Sequence, residues 1–290
     1  MSKKVVITGA AGQLGSELLR TAPEGCECVA ASRDVLNIAD AAQVLALIAA
    51  EKPDLVINAA AYTAVDQAES EPDLARAING DGAGNLAVAC AENGARLLHV
   101  STDFVFDGAS SVPYATDAPT CPLGEYGRSK LAGEQAVVDR LPCALIMRTA
   151  WVYSAFGGNF VKTMLRLMAE RGELSVVADQ VGTPTWAKGL AQSLWLAADH
   201  PELQGFYHWT DAGVCSWYDF AVAIAEEAFD IGLLQRMPLI HPIPGSAYPT
   251  PAARPSFSVL DKDSTWQALN IEGLHWRVQL RSMLQELKEL

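Results

Sequence analysis

Basic side chains are scarce in this chain. Lys and Arg number 21 against 34 Asp and Glu, which leaves a formal net charge of −13 over 290 residues. A polyanion such as DNA is repelled by that average field, and no basic run overrides it, so nucleic acid is not an expected partner. A small anionic ligand is still compatible, because a few local Arg and backbone N–H groups suffice to hold one. Long hydrophobic runs are missing too. Apolar stretches such as residues 44–50 fall far below the roughly 20 residues a membrane helix needs, so no membrane association is expected. The apolar start of the chain breaks at Gly9 and Gly12, too early for a signal peptide. The six cysteines (Cys26, Cys28, Cys90, Cys121, Cys143 and Cys215) contain no CxxC pair and have no His at ligand spacing nearby. They read as buried reduced thiols in a cytoplasmic protein, with Cys26 and Cys28 pointing to one face of a strand. There is no internal repeat and no low-complexity tract.

What is present is apolar. Half the residues are hydrophobic and 19% are charged, which suits a globular protein with a sizeable core and about two domains. In the first half, short apolar runs alternate with amphipathic segments. Residues 4–8, 27–31, 54–58, 96–101 and 143–148 read as strands. Residues 13–21, 40–51, 72–93 and 125–140 read as helices, with Asp40 a candidate N-cap and Gly94 a stop. The strands are nearly continuous apolar runs, the pattern of a sheet buried on both faces. Strand–helix repetition of this kind predicts an α/β, doubly wound parallel-sheet Rossmann fold. The second half keeps helical stretches at 159–171, 186–198, 216–229 and 279–287. Between them lie Pro-rich and Gly-rich loops, and eight of the 15 prolines fall beyond residue 150. The expected division is residues 1–150 as the dinucleotide-binding domain, rejoined by parts of 174–200. Residues 151–290 then form mainly a smaller, discontinuous C-terminal substrate-binding α/β cap.

Thr8-Gly9-Ala10-Ala11-Gly12-Gln13-Leu14-Gly15 joins the first strand to the first helix. Gly9 suits the tight turn, Gly12 lets backbone approach a pyrophosphate, and Gly15 lets the helix pack on the strand. The free N–H groups and dipole of the helix start then face the anion. Three glycines at this spacing arise by chance roughly 0.1 times in such a chain, so the position after the first strand carries the argument. The residues after the second strand choose the cofactor. An acid there binds the ribose 2′-OH of NADH, whereas an Arg suits the 2′-phosphate of NADPH. Ser32 and Arg33 come first and favour NADPH; Asp34 follows and leaves NADH open.

Tyr126-Gly127-Arg128-Ser129-Lys130 opens a predicted helix. Residues four apart share a helix face, so Tyr126 and Lys130 come together. A free phenol has a pKa near 10, and a nearby ammonium is expected to lower it toward neutral pH. Ser101-Thr102-Asp103 follows the fourth strand, at the carboxyl edge where open α/β sheets bind ligands. Thr102 can offer its hydroxyl to a substrate oxygen there.

Together these residues resemble the extended short-chain dehydrogenase/reductase family. The resemblance runs over nearly the whole chain. It is strengthened by Asn58-Ala59-Ala60-Ala61-Tyr62-Thr63-Ala64-Val65-Asp66-Gln67-Ala68-Glu69, by Ser101-Thr102-Asp103-Phe104-Val105-Phe106-Asp107-Gly108 and by Arg148-Thr149-Ala150-Trp151-Val152-Tyr153. Asp179-Gln180-Val181-Gly182-Thr183-Pro184-Thr185 and Tyr248-Pro249-Thr250-Pro251-Ala252-Ala253-Arg254-Pro255 extend it into the cap. It implies hydride transfer from NADPH to C4 of a dTDP-4-keto-sugar, dTDP-4-dehydro-β-L-rhamnose, giving dTDP-L-rhamnose. By the same resemblance Tyr126 protonates the nascent alkoxide, Lys130 tunes Tyr126 and holds the nicotinamide ribose, and Thr102 orients the sugar oxygen. Gln13, Leu14, Asn37, Ile38, Ala59, Ala60 and Ala61 join Gly9, Gly12, Gly15, Ser32 and Arg33 around the cofactor. Val65, Phe104 and Trp151 line the sugar and nucleotide pocket, and Arg254 reaches a diphosphate from the cap.

Some relatives bridge subunits through a magnesium held by glutamates. Glu17 and Glu286 match two such positions, but Lys188 falls where a third acid is wanted. An ammonium cannot ligate a cation, so no metal is expected. A homodimer stays open as an assembly. A 4,6-dehydratase needs a second carboxylate beside Asp103, where Phe104 stands. A 4-epimerase shares the Tyr–Lys pair and is a standing alternative. So is a non-catalytic regulatory subunit that binds dinucleotide on the same fold.

Overall fold

The apolar runs of the first half build one sheet in the computed structural model, which describes residues 3–290. Its first half contains β1 (Lys3–Thr8), α1 (Gln13–Arg20), β2 (Cys26–Ala31), α2 (Ala41–Glu51), β3 (Leu55–Asn58), α3 (Val65–Ala68), α4 (Pro72–Arg76), α5 (Gly82–Asn93), β4 (Arg96–Thr102), α6 (Glu125–Arg140) and β5 (Leu145–Thr149). There follow β6 (Val152–Tyr153), α7 (Phe160–Glu170), β7 (Glu173–Val177), β8 (Val181–Gly182), β9 (Thr185–Trp186), α8 (Ala187–Ala198) and β10 (Gly205–His208). The chain ends with β11 (Cys215–Ser216), α9 (Trp217–Asp230), β12 (Leu239–Ile243), α10 (Asp263–Leu269) and α11 (Trp276–Glu289).

The main sheet has six strands in the order β10-β5-β4-β3-β1-β2, all paired in parallel. Neighbouring residues of one strand feed opposite cores. Val6, Val56, Leu97 and Ile146 pack with α2, α5 and α6 through Val44, Ile48, Leu86 and Val137. Val5, Ile57, Leu98 and Met147 pack on the other face with α1 and α8 through Leu14, Leu18, Leu190 and Leu194. Both sides are therefore apolar, which is why these strands show no alternation in sequence. The chain moves from β2 across to β3, on the far side of β1, and so opens a crevice at the carboxyl ends of β1 and β3.

Several boundaries differ from the sequence expectation. The helix expected over 72–93 is broken by a π-helical turn, Ala77–Asp81. Asn79-Gly80 sits in its middle, and both residues are poor helix formers. Gly94 does end the helix, at φ 68°, and Asp40 caps α2 by accepting from the backbone N–H groups of Ala42 and Gln43. The sixth sheet strand, β10, pairs with β5 beyond the stretch expected to return to the sheet. α11 starts at Trp276, where the His275 ring accepts from the Arg277 N–H at 3.2 Å. The thiols are less uniform than expected. Cys90 and Cys215 are buried, Cys26 and Cys28 are half-buried with sulfurs 3.9 Å apart, and Cys121 and Cys143 are exposed. Cys143 lies outside β5, in a turn that follows Pro142.

The second half packs α7, α9 and α11 around Tyr153, Met168, Phe220, Trp276 and Leu284. β7 and β12 form a parallel pair beside them. One extended segment ties this unit to the sheet domain. Val181 N–H donates to Ser256 O, Ser258 N–H to Val181 O, and Tyr114 N–H to Val259 O, all within 2.9 Å.

The sharpest packing constraint is Gly15. A Cβ there would lie 2.3 Å from Gly9 O and 2.6 Å from Ala10 Cα. Backbone cannot yield as a side-chain tip can, so Gly15→Ala is expected to cost about 1–3 kcal/mol. Thermal denaturation checks this; a melting point equal to that of the parent chain refutes the close-packing account.

Candidate active site

The turn after β1 is shaped by close backbone approach. Gly9 has φ +65°, and a Cβ on it would stand 2.7 Å from Ala59 O and Ala60 N. Only glycine fits there without moving the loop after β3. Gly12 N–H donates to Gly9 O at 2.9 Å, and α1 begins at Gln13 with its first N–H groups at the crevice. Two proposed cofactor contacts have their side chains engaged elsewhere. Gln13 Oε1 accepts from Asn159 Nδ2 at 2.9 Å, and Leu14 is buried in the core. Both offer the crevice backbone rather than side chain.

Past β2, Ser32 O accepts from Val35 and Leu36 N–H. Arg33 is exposed and has no protein partner among the described residues. A free guanidinium at the end of β2 suits a phosphate on the adenosine ribose. Asn37 is exposed and accepts from Ala39 N–H at 3.2 Å. Ile38 is buried, and Asn85 Nδ2 donates to its carbonyl. Ala59, Ala60 and Ala61 are half-buried in the loop that Gly9 touches.

The three proposed catalytic residues come from two elements. Thr102 ends β4 and is buried. Tyr126 and Lys130 sit one turn apart in the first turns of α6. Lys130 Nζ reaches back under the sheet edge and donates to Val100 O at 2.7 Å. The Phe104 ring stands edge-on to Tyr126, with centroids 5.4 Å apart. The ionisation of Tyr126 departs from the spacing argument. Burial pushes the phenol up to about 12, the Thr102 hydroxyl pulls it back, and the Asp103 carboxylate raises it. None of this balance comes from the Lys130 ammonium, so the lowering expected from the spacing is not found. Lys130 itself is drawn down to about 8 by burial, while Glu134 raises it. Asp103 is 1% exposed and is pushed up by burial to about 6. At neutral pH the phenol keeps its proton, which is the state a donor needs.

On the substrate side, Val65 begins α3 and Trp151 follows β5 with φ +47°. Trp151 stacks on Trp217, with centroids 3.5 Å apart and planes 7° from parallel. Arg254 is occupied. Its Nη1 and Nη2 donate to Asp66 Oδ1 and Oδ2 at 3.0 and 2.7 Å. Asp66 Oδ1 also accepts from Ala252 N–H at 3.2 Å, and the Arg254 guanidinium lowers the Asp66 pKa. The fork expected at a diphosphate therefore fastens the cap segment to α3 in this structure.

Glu17, Glu286 and Lys188 do meet. Arg20 bridges Glu17 and Glu286 at 2.8 and 2.6 Å, and Lys188 lies 3.2 Å from Glu286. Ser154 Oγ donates to Glu17 at 2.8 Å. Two cations thus neutralise the two carboxylates.

Two features escaped the sequence reading. Asn79, in the π-helical turn, accepts from Tyr62 N–H at 2.8 Å and donates to Tyr62 O at 3.0 Å and Ser129 Oγ at 2.9 Å. It locks the loop after β3 to α6. The helix-breaking Asn79-Gly80 dipeptide was the signal available. The second is a buried ion pair, Glu134 with Arg148, which no local motif announces.

A Gly-lined turn at the sheet's switch point, with a Tyr and Lys one helical turn apart beside a threonine, defines an extended short-chain dehydrogenase/reductase. Comparison with known proteins narrows this. Residues 3–289 match the family model described as RmlD substrate binding domain, and the chain belongs to that family. It is 42% identical over 294 residues to a dTDP-4-dehydrorhamnose reductase of Burkholderia thailandensis, covering 98% of this chain and 99% of the relative. It is 39% identical over 291 residues to the enzyme of that name from Salmonella typhimurium, covering 98% and 97%. The solved dTDP-4-dehydrorhamnose reductase of Bacillus anthracis, in complex with NADP, superposes with a TM-score of 0.92 at 38% identity over 99% of this chain and 100% of that one.

With Glu17 and Glu286 already paired to Arg20 and Lys188, a divalent ion has no free carboxylate set to join there. Melting curves with EDTA and with added magnesium are therefore expected to superimpose. A magnesium-dependent rise in melting temperature overturns that expectation.

Proposed function

We propose that this chain reduces dTDP-4-dehydro-β-L-rhamnose to dTDP-L-rhamnose at the expense of NADPH. What supports the reading is the hydrogen bond between Thr102, at the carboxyl end of β4, and Tyr126 of α6, with Lys130 one turn on in the same helix, in a sheet whose β1 ends in the Gly9 turn. The same names on relatives that span almost the full chain support the substrate assignment. The free Arg33 and the NADP bound by the Bacillus anthracis structure support NADPH.

NADPH, when bound, supplies the hydride that the C4 carbonyl accepts. The first N–H groups of α1, which opens after the Gly9–Gly12 turn, would hold its pyrophosphate, and Arg33 would pair with the 2′-phosphate. Thr102, whose hydroxyl donates to Asp103 Oδ1 at 3.1 Å in this structure, would turn that hydroxyl to the C4 oxygen and keep the carbonyl facing Tyr126. The Tyr126 phenol then gives its proton to that oxygen, and the ketone, having gained a hydride and a proton, becomes the alcohol. A phenol pushed up to about 12 by burial remains protonated until the moment of transfer. Lys130 places a positive charge below the phenol and steadies the phenolate it becomes. Phe104 occupies the place where a dehydratase needs its second acid, so elimination has no base. Six unpaired thiols support a cytoplasmic setting for this reaction.

Tyr126→Phe removes only the phenolic hydroxyl, and with it the proton to be donated. Turnover, followed as loss of NADPH absorbance with the dTDP-keto-sugar present, is expected to fall by about 10²–10⁴-fold, with NADPH binding by fluorescence unchanged. Turnover equal to the parent enzyme removes Tyr126 from the mechanism. A parent enzyme that leaves the keto-sugar untouched, or that purifies with tightly held NAD, removes the reductase reading.

Arg33→Ala deletes a charge-assisted contact worth about 1.5–3 kcal/mol. The KM for NADPH is expected to rise about tenfold or more, while that for NADH stays level. Parallel changes in both constants refute a role at the 2′-phosphate.

A further inference from the structure

Helix α6 carries another acid one turn beyond Lys130. Glu134 is 1% exposed and its partner Arg148 is 3% exposed. Arg148 Nε and Nη2 donate to Glu134 Oε1 and Oε2, both at 2.8 Å. Arg148 lies on β5 opposite Ser101 of β4, one residue before the Thr149 that pairs with Thr102. Its guanidinium carbon sits 5.1 Å from the Phe106 ring centroid and 4.5 Å from that of Phe206. Arg148 Nη1 also donates to Thr116 O at 3.1 Å. The pair therefore stitches α6 to the sheet directly below the site.

Stability alone is a weak reason for such a pair. Burying two charges costs much of what their attraction returns, and apolar replacements are often neutral or better. The charges nearby suggest a different use. The charge of Lys130 on α6 acts on His99 of β4 and is acted on by Glu134 of its own helix; Tyr126, Lys130 and Glu134 follow one another at four-residue spacing on α6, and Arg148 pairs with Glu134. His99 is held far below its ordinary range by burial and by the Lys130 charge, so it is neutral. Tyr126 is neutral as well. Among the described residues Lys130 Nζ has one acceptor, Val100 O, although an ammonium has three donors. Without Glu134, Lys130 and Arg148 would be two buried cations on one side of the sheet edge. Arginine does not give up its proton, so the lysine would.

We propose that Glu134, oriented by Arg148, is a positioning residue of this site that keeps Lys130 an ammonium beneath Tyr126 and fixes α6 against β5. The catalytic consequence rests on the reductase reading above; the charge state of Lys130 does not. During reduction the phenol becomes a phenolate, and a neutral lysine steadies it less. Loss of the Glu134 charge therefore lowers the pH at which turnover fails.

The test uses the cofactor-free protein labelled with ¹³C-lysine. The Lys130 Cε resonance is assigned by its loss in Lys130→Arg and titrated by NMR. In the parent chain its midpoint is expected at about 8. In Glu134→Gln it is expected to fall by about one pH unit or more. In the double variant Glu134→Gln/Arg148→Met, which removes both charges, it should lie between the two. Glu134→Asp, which keeps the charge, should retain the parent midpoint while lowering kcat. In NADPH turnover the alkaline limb should move with the NMR midpoint. An unchanged midpoint in Glu134→Gln overturns the proposal. Should that variant fail to fold, an unchanged midpoint in the double variant does so. If instead the parent chain fails to reduce the keto-sugar at any pH, the reductase reading falls while the titration still decides the charge of Lys130.

Discussion

A row of three buried polar side chains crosses the sheet. Thr8 pairs with Asn58 in the β1–β3 register, and Asn58 with His99 in the β3–β4 register. Thr8 Oγ1 donates to Asn58 Oδ1 at 2.6 Å, and Asn58 Nδ2 donates to His99 Nδ1 at 2.9 Å. Asn58 Oδ1 also accepts from Ala60 N–H at 3.2 Å. Unpaired, these groups would each cost on the order of 1–3 kcal/mol in such an interior. A slip of one residue between β1, β3 and β4 would break the row and turn each strand's side chains over. The register therefore holds Gly9 against Ala59 and Ala60, and sets Thr102 three residues beyond His99. The rest of the site depends on those positions.

On that edge the molecule assembles its chemistry from parts that are far apart in sequence. α6 brings Tyr126 and Lys130, the π-helical turn brings Asn79, and Arg254, in the loop before α10, is tied to Asp66 of α3. Each joint is polar and local, while the cores behind it are apolar. This division suits a reductase. The groups that touch the reacting oxygen must hold position within a fraction of an ångström, and the packed sheet supplies that rigidity. The segment that carries Arg254 is joined to the first half by backbone hydrogen bonds, by the Arg254–Asp66 ion pair and by packing of Phe257 and Leu260 with Phe106 and Tyr114.

Much of this was legible beforehand, for identifiable reasons. The Gly9-to-Gly15 turn could be read because a phosphate-binding turn needs glycine at set intervals and must follow a strand. The Tyr126–Lys130 pairing could be read because helix geometry alone puts positions four apart on one face. The helix expected over residues 125–140 coincides with α6. The parts that could not be read depend on tertiary partners. Arg254 looks like a phosphate ligand in a Pro-rich loop; only the fold brings Asp66 to it, 188 residues away. Glu134 and Arg148 are 14 residues apart on different elements. β10 was missed because four residues after a proline-containing turn carry no periodicity of their own.

The sign of the Tyr126 shift is the most instructive difference. Spacing predicts that Lys130 is near Tyr126, and a cation near a phenol lowers its pKa. That inference treats the pair as though it stood in water. Inside the protein two further effects enter. Burial penalises the phenolate and raises the phenol, and the same burial penalises the ammonium and draws Lys130 down to about 8. Asp103 adds its own negative charge beside the phenol. The net result is an acid that stays protonated and a lysine close to losing its proton. For reduction this order is favourable, since the phenol must arrive carrying its proton and needs the cation only once that proton has left. Oxidation in the reverse sense would need the phenolate first. At neutral pH the protein environment, more than the Tyr–Lys spacing, thus leaves the phenol protonated, the state a proton donor needs.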